Sequence, residues 1–100
     1  MNMTDLVKIK KILHQKKTLF KKYGITEIGI FGSYIRGQEN PQSDIDILID
    51  ISRPSTLGLI ELIEIENKLT EELDTKVDLV LKCNLKPLIG KNILQEVQYL

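Results

Sequence analysis

The sequence predicts an α/β fold: a small mixed β-sheet of about three strands with helices packed on it, in the order α-β-β-α-β-α. Two patterns carry that expectation. Residues Asp44–Ile51 read DIDILIDI, an alternation that gives a strand one apolar and one largely polar face. On either side, apolar residues recur at helical spacing, once before the first glycine-bounded strand and once before a third strand.

In chain order, Thr4 and Asp5 offer N-cap chemistry, and Leu6, Ile9, Ile12, Leu13, Leu19, Phe20 and Tyr23 form a stripe. The spacing predicts one helix over 5–23, closed by Gly24 in the left-handed region. His14 projects from its polar side as a solvated residue. Glu27–Phe31 is short, β-branched and bounded by glycine, so it reads as a strand. After DIDILIDI, Pro54 and Ser55 break the chain. Leu59, Leu62, Ile65, Leu69 and Leu73 then make a second stripe, with Ile60 off it as either ordinary exposed surface or a partner contact. Lys76–Leu81 alternates again. Pro87 suits the first turn of a last helix carrying Ile89, Ile93, Val97 and Leu100 on one side.

One hundred residues suit one domain, taken as 1–100. Only 5% of them are aromatic, so a base-stacking surface for single-stranded nucleic acid is not expected. Lys and Arg number 14 and Asp and Glu also number 14, but they are unevenly spread. Seven basic residues lie between Lys8 and Lys22 and six acidic ones between Glu61 and Asp74. These are either two solvated helix faces or a basic face for an acidic partner or RNA. The lone Cys83 permits no internal disulfide and reads as a small hydrophobe at a strand end, in a reducing compartment. No apolar run approaches the ~20 residues of a membrane span and no signal-peptide pattern opens the chain, so a cytoplasmic protein is expected.

Three features converge on one chemistry. Gly32-Ser33 follows the first strand directly, and a turn of that kind presents backbone N–H groups and a hydroxyl to an anion. Asp44 and Asp46, at i and i+2, point to one face of a strand whose other face carries Ile45, Ile47 and Ile49. Two like charges side by side call for a cation between them, unless the face is open to water. Asp78 lies inside Val77-Asp78-Leu79, either as a charge that protects an edge strand or as a third member of the acidic cluster. Asp50 continues the face at the strand end, as solvated surface. With residue frequencies of roughly 5–7%, a chance G-S-x10-D-x-D match in this length is on the order of one in a thousand.

The stretch GSYIRGQENPQSDIDILID closely resembles the signature of the polymerase-β-like nucleotidyltransferases, in particular their minimal (MNT) branch. The resemblance extends over essentially the whole chain, including the acid in KVDLV. It implies that Gly32 and Ser33 bind the β- and γ-phosphates of ATP. It also implies that Asp44 and Asp46 hold Mg²⁺, with two ions in the site. Asp78 would complete the metal site and activate an acceptor hydroxyl. Arg36 and Ser43 match frequent positions of the motif, and Arg36 would pair with phosphate or brace the loop against Asp44.

The chain is short for a separate acceptor-binding domain, which points within that family to the antitoxin of HEPN/MNT pairs. Such an antitoxin adenylylates a tyrosine of its HEPN ribonuclease toxin, and the two assemble as a hetero-oligomer. Neutralisation by binding alone, or transfer to a small molecule such as an antibiotic, are the alternatives.

Overall fold

The computed structural model describes residues 6–38, 43–52 and 58–100. The proposed cap at Thr4 and Asp5 and the break at Pro54 and Ser55 lie outside them. The elements run α1 (Leu6–Gln15), α2 (Lys17–Lys22), β1 (Ile25–Phe31), α3 (Ser33–Arg36), β2 (Ile45–Ile51), α4 (Leu59–Leu73), β3 (Val77–Leu81), α5 (Pro87–Glu96) and β4 (Gln98–Tyr99). A 3₁₀ turn, Lys82–Asn84, joins β3 to the segment before α5.

The sheet has four strands in the order β3-β2-β1-β4. β1 pairs antiparallel with both β2 and β4, while β2 and β3 are parallel, joined by the α4 crossover. The alternation in DIDILIDI sets the buried face: Ile45, Ile47 and Ile49 are buried on one side with Ile28 and Ile30 of β1 and Val77 and Leu79 of β3. Ile9, Leu13, Phe20, Ile65, Leu69 and Leu73 from the helices close over that face. The second face is not left to water. Leu48 and Phe31 are also buried on it, and a Cβ built at Gly29 would meet Val97 Cγ2 at 2.5 Å. The segment after α5 therefore lies against β1 where Gly29 has no side chain.

Several sequence expectations are corrected. The helix expected over 5–23 is divided at Lys16, whose N–H reaches the carbonyls of both Ile12 and Leu13 at 3.2 Å. The division lets Phe20 and Leu13 both reach the core. Gly24 does take positive φ after α2, at 84°. Leu59 opens α4 but is exposed, because the stripe only turns inward from Leu62. The last helix stops at Glu96, so Val97 and Leu100 lie beyond it, and Leu100 instead donates its N–H to Ile28 O at 2.9 Å. Cys83 sits exposed in the 3₁₀ turn rather than packed at a strand end. Ile60 and His14 are exposed, as expected.

The two oppositely charged segments meet each other. Lys16 Nζ lies 2.8 Å from Glu72 Oε2, joining the basic α1–α2 segment to α4. Among the described residues, no helix is long and apolar enough to cross a membrane.

Candidate active site

The site is built at one end of the sheet, where β1 ends and β2 and β3 begin. β1 and β2 pair so that Phe31 faces Asp46, and β2 and β3 pair so that Asp46 faces Asp78. Strand register thus brings two carboxylates 32 residues apart in sequence onto neighbouring positions of one face. Asp44 precedes β2 on the same side, half-buried, with Lys76 Nζ 3.9 Å from its Oδ2. Asp78 is exposed on the edge strand β3, where it stands beside Asp46.

α4 fixes the height of β3, and so of Asp78. Thr70 Oγ1 accepts the N–H of Val77 at 3.0 Å, and Glu66 Oε2 accepts that of Leu79 at 2.9 Å. Edge-strand amides are thereby covered by helix side chains. On the other flank, Ile45 N donates to Lys76 O at 2.8 Å.

Gly32 follows β1 with φ 84° and ψ −154°, a conformation that L side chains rarely adopt. The sequence suggested that Gly32 lets a ligand come close. The structure adds a nearer reason, since a Cβ there would run into the Asp46 carboxylate. Ser33 then starts the short helix α3, half-buried, and Tyr34 anchors the turn in the core. Gly37 ends α3 in the left-handed region at φ 69°. Ser43 is half-buried immediately before Asp44.

Electrostatics mark Asp46 out. Burial pushes its pKa up to about 6, and the neighbouring charges of Asp78 and Asp44 push the same way. Arg36 opposes them, and Glu96 adds to them. A carboxylate raised by its own neighbours is one that a cation would stabilise. Among the described residues, no three His, Cys, Asp or Glu side chains converge closely enough to hold an ion together. Asp46 and Asp78 offer two carboxylates, the number Mg²⁺ takes alongside triphosphate oxygens. The donor set therefore fits that ion chemically.

Arg36 does not brace the loop against Asp44. Its Nη1 reaches Glu96 Oε1 at 2.9 Å and Oε2 at 3.1 Å, while Nε donates to Gln38 Oε1 at 3.1 Å. Glu96 Oε2 also accepts the N–H of Gly32 at 2.7 Å. Sequence reasoning missed Glu96 because it lies 60 residues from Arg36 and outside any motif. One signal was present: an acid in the last turn of a helix faces the negative end of the helix dipole and needs a partner elsewhere.

A parallel crossover flanked by an antiparallel strand, a Gly-Ser turn and paired carboxylates together define the nucleotidyltransferase class. The chain belongs to the nucleotidyltransferase domain family, which it matches over residues 6–100. It is 46% identical over 101 residues to the protein adenylyltransferase MntA of Thermococcus cleftensis, covering 99% of each chain. Among solved structures, one provisionally named a minimal nucleotidyltransferase is 26% identical, with a TM-score of 0.80 and 96% of each chain covered. The MNT antitoxin in complex with a tri-AMPylated HEPN toxin of Shewanella oneidensis is also 26% identical, with a TM-score of 0.63. That match covers 91% of this chain and 66% of the other.

Proposed function

We propose that this nucleotidyltransferase is a Mg²⁺-dependent protein adenylyltransferase that moves AMP from ATP onto a tyrosine hydroxyl of a HEPN toxin and so acts as its antitoxin. The observation that carries the reading is the register that sets Asp46 beside Asp78 and directly behind the Gly32-Ser33 turn. The 46% identical relative named as a protein adenylyltransferase supports a protein acceptor, and the AMPylated HEPN toxin held by a structural neighbour supports the partner class.

In this reading, residues 1–100 act as one domain and the division of labour follows position. The Gly32-Ser33 turn orients the β- and γ-phosphates. Asp44, Asp46 and Asp78, which do not converge in the structure, would close on Mg²⁺ when it binds, and the ion would neutralise charge on the triphosphate. Asp78, the most exposed of the three, accepts the proton of the acceptor hydroxyl. The hydroxyl oxygen bonds to the α-phosphorus as the bond to the β-phosphate bridging oxygen breaks, and pyrophosphate leaves. Ser43 supports the start of β2.

The test is incubation with α-³²P-ATP and Mg²⁺, with and without the HEPN-type protein, followed by a denaturing gel. A labelled partner band is expected, and Asp44→Asn should weaken it by roughly 100-fold or more while leaving the circular dichroism spectrum unchanged. An unlabelled partner that still forms a stable complex would replace this reading with neutralisation by binding. Label on a small molecule instead would make the acceptor wrong. Wild-type transfer by Asp44→Asn would overturn the metal assignment.

A further inference from the structure

Two groups of the turn are suited to an anion, the Gly32 N–H and the Arg36 guanidinium, and one carboxylate holds both. Glu96 accepts from Gly32 at 2.7 Å and from Arg36 Nη1 at 2.9 and 3.1 Å. We infer that Glu96 is a built-in competitor for the triphosphate: its carboxylate holds these donors in the nucleotide-free protein and is displaced when phosphate oxygens take them. The inference rests on the nucleotide-site reading above.

The chemistry of the contact points this way. A carboxylate and a phosphate make the same charge-assisted bonds to an amide and a guanidinium, so they compete for the same donors. Glu96 also carries the wrong sign for its surroundings if binding the triphosphate were its purpose. Its charge adds to that of Asp44 and Asp78 in raising the Asp46 pKa, so it sits within electrostatic reach of the carboxylates. Nor is it placed there for the helix, because an acid at the last residue of α5 faces the carbonyl end.

The backbone limits how the carboxylate can leave. Val97 packs against Gly29, Gln98–Tyr99 pairs with β1, and Leu100 N–H bonds to Ile28 O. These contacts hold the chain just after Glu96, so release is a rotation of one side chain and not an undocking of the C-terminal segment. Until displaced, Glu96 keeps the Arg36 head from standing as an unpaired cation beside the turn.

The experiment is isothermal titration of the full chain with ATP·Mg²⁺ and, separately, with inorganic tripolyphosphate. Wild type is compared with Glu96→Gln and Glu96→Ala, each checked by thermal melting. Both variants should bind both ligands more tightly, with Kd lower by about tenfold, the effect of removing one bound competitor. Glu96→Asp, which keeps the charge but shortens the reach, should fall between wild type and Glu96→Gln. Unchanged or weaker binding in folded Glu96→Gln overturns the inference and makes Glu96 a brace for the turn. Absence of binding by wild type and all variants would sink the nucleotide-site reading, and the inference with it.

Discussion

At the residue scale, Gly32 shows how one missing atom couples two halves of a site. Its positive φ and the Asp46 carboxylate lying where its Cβ would stand exclude every other residue for separate reasons. Gly32→Ala should destabilise the protein by about 1–3 kcal/mol through backbone strain alone. It should also displace the Asp46 carboxylate and remove transfer activity; a denaturant melt with the labelling assay measures both. The sequence pointed to this glycine because the turn follows a strand, but it suggested only ligand access. That Asp46 occupies the space depends on the β1–β2 register, which no local pattern encodes. Glu96 is the same case at greater distance. Nothing around PLIGKNILQE says that its last acid meets Gly32 and Arg36, since that contact forms only after the C-terminal segment docks.

At the scale of elements, legibility followed the length and regularity of the pattern. DIDILIDI and VDLVL were readable because alternation fixes both the strand and its buried face. β4 was not, because two residues carry no period and the strand exists only by pairing with Gly29 and Ile30. The bend at Lys16 was equally hidden, since the apolar stripe continues through it. Gly29 is where these hidden pieces are held together. A Cβ there would meet Val97 Cγ2 at 2.5 Å and Gln98 O and Tyr99 Cδ1 at 3.2 Å each. Gly29→Val is expected to cost about 1–3 kcal/mol by overpacking. It should also speed amide exchange at Gln98–Leu100 while β2 and β3 stay protected, a pattern that hydrogen exchange with mass spectrometry resolves.

At the scale of the whole molecule, net charge is near zero and the basic and acidic segments partly satisfy each other through Lys16 and Glu72. The stronger global effect of charge is at the site. The Asp46 pKa, raised to about 6 from 3.8, means that the folded chain holds a proton that the unfolded chain releases. Stability without divalent cation is therefore full below about pH 4 as far as this group is concerned, and falls as pH rises through about 6. Solvent screening at a half-buried carboxylate limits the loss to on the order of 1–2 kcal/mol. Thermal melts in EDTA should show the midpoint declining across that window, and Asp46→Asn should flatten the decline. Adding Mg²⁺ at pH 7 should raise the wild-type midpoint more than that of Asp46→Asn.

Direction along the strands has a consequence of its own. Asp46 and Asp78 are each the second residue of their parallel strands, so the site lies at the ends where β2 and β3 begin. In open α/β sheets ligands more often sit where parallel strands finish and helices start. The crossover here works in reverse: α4 departs from the far end of the sheet and returns with Leu73, only a few residues before Asp78. What it brings back is its carbonyl-rich terminus, whose partial negative charge offers an incoming polyanion no welcome. In the proposed reading, attraction would then come from groups other than the helix end: from Lys76 just beyond it, from Arg36 once it is freed, and above all from an ion carried in with the nucleotide. If the proposed function holds, a protein built this way should take up ATP alone poorly, and its apparent affinity for ATP should rise with free magnesium.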